Sequence, residues 1–344
     1  MYLIREAGPR DFRGVFALAE VLDSYNLPAD RPYIRRLLET SERSFGGLLP
    51  KEKARYLFVL EKTKSTGYKV PGTLVGCSMI IAKHGTRGRP HLWFSLDQIE
   101  KRSRTLGIRK SHRVLRMGAT EDGPTEVGGL VVLARYRSHR ERCGLQLAYV
   151  RFLYMAMHPE RFERDVLVEY RGAMGAGGKS PFWEAIGRVF TGLPYRRADH
   201  LSVENKEFIL SLLPAEPIYC ALLPARVRRA IGAVHPAAAP AAAMAARIGF
   251  RRIRQVEPFD GGPYYIAERE RIRLVRETRS FPLVQAAAGP RGRPHLVATE
   301  AGGFFRAVMT AGAISAGRFK MEEEAFRKLK IRAGDPAYVC AVPR

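Results

Sequence analysis

The sequence predicts an α+β fold: a mixed, mostly antiparallel sheet with flanking helices, followed by a small, mostly-β C-terminal domain. Three observations predict it. Several short apolar strand candidates precede the middle of the chain without a helix between each pair, which argues against a doubly wound parallel sheet. One strand–helix–strand unit lies at 126–170. Beyond about Thr278 the chain turns to Ala, Gly and Pro and then to short strand candidates.

Tyr2–Arg5 reads as a strand, and Asp11 can cap the segment behind it, where Val15, Leu18, Ala19 and Leu22 recur at helical spacing. Arg31–Thr40 reads as a second amphipathic helix. Arg55–Glu61 (RYLFVLE) and Thr73–Ala82 (TLVGCSMIIA) read as hairpin strands joined by the Lys/Gly/Pro-rich loop Lys62–Gly72. His91–Leu96 and Glu126–Leu133 (EVGGLVVL) are further strands. In Gly144–Met157 the residues Leu145, Ala148, Tyr149, Phe152, Met155 and Ala156 fall three and four apart, which predicts a helix. Asp165–Tyr170 (DVLVEY) is a buried strand, and Ser180 precedes a helix over Pro181–Phe190 with proline at its first position. This order resembles that of a GNAT-type acyltransferase core.

The expected division is a core over residues 1–280, a linker over 281–293 and a β-rich unit over 294–344. The last has strands at His295–Ala298, Phe304–Met309 and Ala337–Val342 and a helix at Glu322–Leu329. The hexapeptide RGRPHL, at Arg87–Leu92 and again at Arg291–Leu296, reads as a basic turn entering a strand, used twice.

Among 344 residues, 58 are Lys or Arg and 34 Asp or Glu, a net charge of +24. Such an excess favours anionic partners: nucleic acid, a membrane surface or a phosphorylated cofactor. The basic clusters, Lys101–Arg104, Arg109–Arg116, Arg135–Arg142 and Arg251–Arg254, come without a zinc-finger, RNP or basic-zipper pattern, so nucleic acid is not the favoured partner. The longest uncharged span, near Ala233–Ala246, is broken by His235, Pro236 and Pro240 and is too short to cross a bilayer. The N-terminus MYLIREAGPRDF lacks a signal-like apolar region, and Cys77, Cys143, Cys220 and Cys340 lie far apart without a CxxC. A cytoplasmic chain with reduced thiols and no metal site is expected. No GxSxG, P-loop or GxGxxG stands in strand–turn–helix context, which lowers hydrolase, NTPase and dehydrogenase readings.

The richest stretch is Glu126–Phe152, where a strand runs into the basic turn ARYRSHRERCG and then a helix. A helix N-terminus offers unpaired N–H groups and a positive dipole end, which suits a pyrophosphate. A solvated basic loop before a surface helix explains the residues equally well. His235 precedes Pro236, a context that holds it out of the helical region and can project its ring from a loop. Imidazole titrates nearest neutrality, so His235 is a candidate general acid or base, although a surface-loop histidine is the simpler local reading. His158, in HPERF, reads as a helix end. Phe259–Pro263 (FDGGP) is a tight turn that either lines a pocket or simply closes a hairpin. Glu169 and Asp199 stand beside arginines, as structural ion pairs do.

Taken together, MAMHPERF (Met155–Phe162), GKSPFWEAIGRVF (Gly178–Phe190), RAD (Arg197–Asp199), PIY (Pro217–Tyr219), IGAVHP (Ile231–Pro236), GF (Gly249–Phe250) and FDGGP resemble the arginine N-succinyltransferase family, including its arginine/ornithine succinyltransferase subunits. The resemblance runs from Asn26–Leu27–Pro28 to Ala333–Gly334–Asp335. It implies transfer of succinyl from succinyl-CoA to the α-amine of L-arginine, an entry step of arginine catabolism, with ornithine as a further candidate acceptor. It implies succinyl-CoA as co-substrate with no tightly bound cofactor, and a homo-oligomer or a hetero-oligomer with a paralogous subunit. Under it, His235 is the acid/base and Leu130 a succinyl-CoA contact. The expected donor-binding set is Leu130, Val131, Val132, Arg137, Arg142, Gly144 and Leu145; the expected acceptor-binding set is Glu169, Arg171, Ser180, Asp199 and Asp260.

The chemistry asked of these residues is direct attack of a neutral amine on a thioester, with a donor for the oxyanion. Backbone N–H groups of Gly129–Val132 can supply it if Gly128 and Gly129 permit a bulge. No covalent intermediate is required, so Cys143 is a bystander. Two features depart from the pattern. The GNAT phosphate turn R/Q-x-x-G-x-G/A, ended on Gly144, puts His139 at its first position and Arg142 at its first glycine. A cationic acceptor also needs local carboxylates in so basic a chain, with Glu169, Asp199, Asp260 and Glu126 the candidates. The alternatives are an N-acyltransferase with another donor or acceptor, a non-catalytic paired subunit, and a basic nucleic-acid-binding protein on the same scaffold.

Overall fold

The computed structural model describes residues 1–22, 27–62, 73–137, 140–202, 205–286 and 292–343. Strand β1 (Leu3–Glu6) leads through a turn into α1 (Phe12–Leu22). Asp11 does not cap that helix forwards. Its carboxylate reaches back to the Gly8 amide at 3.0 Å and takes both terminal nitrogens of Arg5, at 2.7 and 2.8 Å. Helix α2 (Arg31–Phe45) starts where Asp30 accepts from the Tyr33 amide, and it runs past Thr40 because Ser41, Ser44 and Phe45 are buried.

Strands β2 (Arg55–Lys62) and β3 (Thr73–Ile81) pair antiparallel as expected; residues 63–72, read as their connecting loop, lie outside the described residues. Next come β4 (His91–Ser103) and β5 (Ile108–Thr120), in continuous antiparallel register. The sequence reading ended β4 at Leu96 and missed β5. The cause is physical: beyond Asp97 the ribbon pairs with no other strand among the described residues and most of its residues are exposed, so the alternation that marks a half-buried strand is missing. Two of the basic clusters lie on this ribbon.

Strand β6 (Thr125–Val132) returns beside β3, α3 (Cys143–Met157) crosses over, and β7 (Asp165–Glu169) lies parallel to β6. The single helix expected over Pro181–Phe190 is two, α4 (Pro181–Ala185) and α5 (Gly187–Thr191), broken at Ile186. There follow α6 (Tyr195–Ser202), α7 (Glu207–Leu212), β8 (Ile218–Tyr219), α8 (Ala225–Ala230), α9 (Ala239–Arg247), β9 (Arg251–Val256), β10 (Pro263–Glu268) and α10 (Arg273–Glu277).

The C-terminal strands are β11 (Arg279–Gln285), β12 (Arg293–Thr299), β13 (Arg306–Ser315), β14 (Arg318–Met321) and β15 (Pro336–Ala341), with α11 (Glu323–Leu329) before the last. The stretch 281–293, expected as a linker, therefore opens on a strand that pairs with β14 and β15; residues 287–291 lie outside the described residues. β13 pairs with β1, so the hydrogen-bonded order is β12-β15-β11-β14-β13-β1-β2-β3-β6-β7-β10-β9-β4-β5-β8.

Two apolar layers hold the centre. Leu57, Val59, Cys77 and Met79 pack with Leu18, Ile34 and Leu37 of α1 and α2. The alternate residues Phe58, Leu60 and Ile80 pack with α3, which buries Leu147, Val150, Phe152 and Tyr154. A strand covered on both faces reads as a continuous apolar run, as RYLFVLE does. A third cluster joins Phe182 and Trp183 to Phe94, Val256 and Phe259, beneath the turn that matters below.

Candidate active site

β6 and β7 pair only at Thr125 with Val166 and Glu126 with Leu167, and then part into a wedge. On its other side β6 pairs Gly128 with Met79 and Val131 with Cys77, so Gly129 and Leu130 together oppose Ser78. This is a bulge, and Gly129 carries it at φ +57°, where an L side chain is strained. The Ser78 hydroxyl donates to the Leu147 carbonyl at 2.8 Å, tying the strand opposite the bulge to α3. At the end of β6, Arg137 Nε donates to the Val132 carbonyl at 2.9 Å.

Arg142, just before α3, stands in the left-handed region (φ 53°, ψ 49°) and makes no side-chain cap. The position aligned with the pattern's first glycine thus keeps a glycine-like backbone, at a cost of ~1–2 kcal/mol for a residue with a Cβ. Leu145 N and Gln146 N donate to the Arg142 carbonyl at 2.9 and 3.1 Å, and the amides before them have no earlier helical turn to donate to. Leu130, Val131, Val132, Arg137, Arg142, Gly144 and Leu145 consequently lie along one path, from the bulge through the basic turn to the first turn of α3. His139 lies outside the described residues.

His235 is held at the end of the other arm. Its amide donates to the Arg171 carbonyl at 2.8 Å, just past β7, and Gly232 N donates to the Gly261 carbonyl at 2.7 Å. Its backbone is extended (φ −59°, ψ 137°), as a residue before proline requires. The Ala237 amide donates to His235 Nδ1 at 3.2 Å. A ring nitrogen that accepts carries no proton, so the neutral imidazole bears its hydrogen on Nε2.

The FDGGP turn lies against this loop. Asp260 is buried, and its carboxylate accepts from Gly172 N at 2.8 Å and Gly262 N at 2.7 Å. The packing is close enough that a Cβ on Gly172 would lie 2.3 Å from the Asp260 carbonyl oxygen. Ser180 caps α4 through Trp183 N at 3.1 Å and donates to the Phe259 carbonyl at 2.8 Å, while Trp183 stacks on Phe259 at 4.8 Å. Its hydroxyl is thus engaged in holding the turn. The aromatic stack contributes about 0.5–1.5 kcal/mol beyond its burial.

Carboxylates gather behind the turn. Glu257 accepts from the amides of Phe259 and Asp260 at 2.6 and 2.8 Å. Burial, then the charges of Asp260, Glu169 and Asp199, drive its carboxyl well above the usual range. Burial also raises Asp260, against the pull of its two amide donors and of Arg171 and His235. Three of the expected acceptor residues, Glu169, Asp199 and Asp260, therefore surround a fourth carboxyl that the sequence reading missed. A pocket lined by Leu92, Glu169, Ser202, Lys206, Glu257, Pro258, Phe259 and Tyr264 opens beside them. Arg171 is itself exposed, and its backbone carbonyl is what holds the His235 loop.

Glu126 is fully enclosed, bonded to the His84 ring, and acts on Tyr264. His84, His91 and Glu169 each bring a ligand atom within 4.8 Å of the others, a set that can hold a divalent ion. His91 Nδ1 lies 3.9 Å from Glu169, and burial keeps the ring neutral by lowering its pKa well below the ordinary value. No sequence spacing announces this set, because it is drawn from the start of β4, the loop before it and the end of β7.

The family model for the arginine N-succinyltransferase beta subunit matches residues 2–274. The chain belongs to the arginine N-succinyltransferase family. The family's arginine N-succinyltransferase from Yersinia pestis (strain Pestoides F) is 30% identical over 352 residues, covering 99% of this chain and 98% of its own. That of Photorhabdus laumondii is 32% identical over 314 residues, 90% and 89% of the two chains. The solved structure of arginine/ornithine succinyltransferase subunit AI from Pseudomonas aeruginosa superposes with a TM-score of 0.85 at 30% identity, over 100% of this chain and 99% of that one.

Several of the family-like words have structural duties here. In MAMHPERF, His158 ends α3 and meets Glu300 at 3.0 Å, and Arg161 donates to the Tyr154 hydroxyl at 2.8 Å. The four cysteines are all buried, and burial raises each thiol, Cys77 to about 12 and Cys340 to about 11, so none offers a ready thiolate. Among the described residues no helix is long and apolar enough to cross a membrane.

Proposed function

We propose that this arginine N-succinyltransferase family member transfers succinyl from succinyl-CoA to the α-amine of L-arginine, on a GNAT-like core extended by a small β-rich C-terminal unit. The observation that carries the reading is the position of His235, whose loop is bonded at once to Arg171 just past β7 and, through Gly232, to the Asp260 turn. The donor lies in the wedge with its pyrophosphate at the N-terminus of α3, beside Arg137, Arg142, Gly144 and Leu145. Leu130, Val131 and Val132 flank the thioester, and amides of the bulge receive the oxyanion. Glu169, Asp199 and Asp260 attract the cationic acceptor, while Glu257, kept protonated by burial and by those charges, lines the pocket beside them.

The amine nitrogen attacks the thioester carbon, and the C–N bond forms as C–S breaks. The new amide nitrogen gives up one proton and the departing CoA thiolate takes one up, and the His235 ring carries it between them through its doubly protonated form. Ornithine is a second candidate acceptor, assembly is with another copy or a paralogous subunit, and the compartment is the cytoplasm.

Thiol release from succinyl-CoA, measured with the purified chain alone and arginine, ornithine, lysine or no amine, tests this. Arginine-dependent release is expected. Release with none of the amines from folded protein would overturn the single-chain enzyme.

A further inference from the structure

Arg151, on α3, is 6% exposed. Its Nε donates to Ala148 O within the helix at 3.1 Å, and Nη1 donates to Gly128 O at 3.4 Å. Among the described residues no carboxylate forms an ion pair with it, and Nη2 has no acceptor. Gly128 lies beyond Glu126, the last β6 residue paired with β7, and next to the bulge. Tyr170, which follows β7 on the opposite arm, lies close enough to couple to the guanidinium, and burial keeps its phenol neutral by raising its pKa above the ordinary value. The cation therefore stands between the two arms of the wedge.

A buried guanidinium with only two backbone carbonyls as hydrogen-bond acceptors, and the Phe152 ring at 5.8 Å, is costly, and an apolar residue of similar size would be neutral or stabilising in its place. The cost is offset when an anion fills the empty side of the fork, and a carboxylate fits that planar fork with two parallel hydrogen bonds. The proposed donor carries one a short chain away from the carbonyl that meets the bulge.

We propose that Arg151 receives the terminal carboxylate of the succinyl group and selects a dicarboxylic acyl donor over an uncharged one. This rests on the reading that succinyl-CoA is the donor. Arg151 thereby sets donor choice, while His235 serves the transfer whatever the acyl group.

The test compares succinyl-CoA with butyryl-CoA, which has the same carbon number and no carboxylate, for wild type, Arg151→Lys and Arg151→Met, with arginine saturating. Wild type should prefer succinyl-CoA. Arg151→Met should lose roughly 100-fold in kcat/KM for succinyl-CoA while butyryl-CoA turnover holds or rises, and Arg151→Lys should fall between. Parallel losses with both donors in a folded variant, or an undiminished preference, would overturn the assignment. If Arg151→Met does not fold, donor affinities measured calorimetrically on wild type decide. Equal affinity for the two donors sinks the proposal, whereas failure of wild type to use succinyl-CoA at all sinks the functional reading beneath it.

Discussion

The backbone amide of His235 donates to the carbonyl of Arg171 at 2.8 Å, so no change of side chain at position 235 removes the bond that fixes its loop. His235→Ala should therefore leave the fold and donor affinity intact while kcat falls about 100- to 10,000-fold, the range for loss of a positioned acid or base. Steady-state kinetics with calorimetric binding of CoA checks it. Equal losses in kcat and donor affinity would assign the residue to binding instead.

Glu257 gives a pH-dependent expectation. Its folded pKa lies well above the unfolded value, so the native state holds the extra proton. Stability from this group is full below the ordinary carboxylate pKa and is lost as pH rises toward the shifted one. Glu257→Gln cannot ionise, so its advantage in melting temperature over wild type should grow with pH above about 5. A constant difference in melting temperature across pH would contradict the assignment.

Gly129→Ala places a Cβ at φ +57°, 3.3 Å from Cβ of Met79. The cost should be about 1–2 kcal/mol of stability, read from chemical denaturation. Transfer should suffer more than stability alone explains, because the bulge aims the amides that receive the oxyanion. Activity equal to wild type would remove the bulge from the mechanism.

Arg142 offers a paired comparison. Arg142→Gly suits the left-handed backbone and should hold stability within about 1 kcal/mol of wild type, whereas a β-branched Arg142→Val should lose more. Both remove the guanidinium, so a shared rise in donor KM reports on charge, and a rise confined to valine reports on the shape of the turn.

What the sequence revealed follows from where each residue is buried. RYLFVLE and the α3 repeat were legible because apolar burial writes itself as pattern. β5 was not, since Ile108–Arg113 lies in an unflanked ribbon where polar residues cost nothing. FDGGP and VHP were visible as turns, but their contact depends on Gly232 meeting Gly261 across an intervening strand and helix. Glu257 stands beside FDGGP in QVEPFD, and a carboxylate three residues before a buried aspartate is the signal the sequence carries for it. Arg151 looked like one more basic residue among 58, and only its enclosure distinguishes it.

The pairing of Ile4 with Ala307 joins one edge of β1 to a strand near the far end of the chain. During synthesis β1 can zip onto β2 early, yet its other edge stays open until β13 has emerged. Native closure then awaits one of the longest-range contacts in the molecule, which slows the final folding step. Meanwhile a row of unpaired amides and carbonyls is exposed beside the nascent core, available to a neighbouring chain. Aggregation during expression should accordingly track the supply of intact C-terminal strands rather than the quality of the central core.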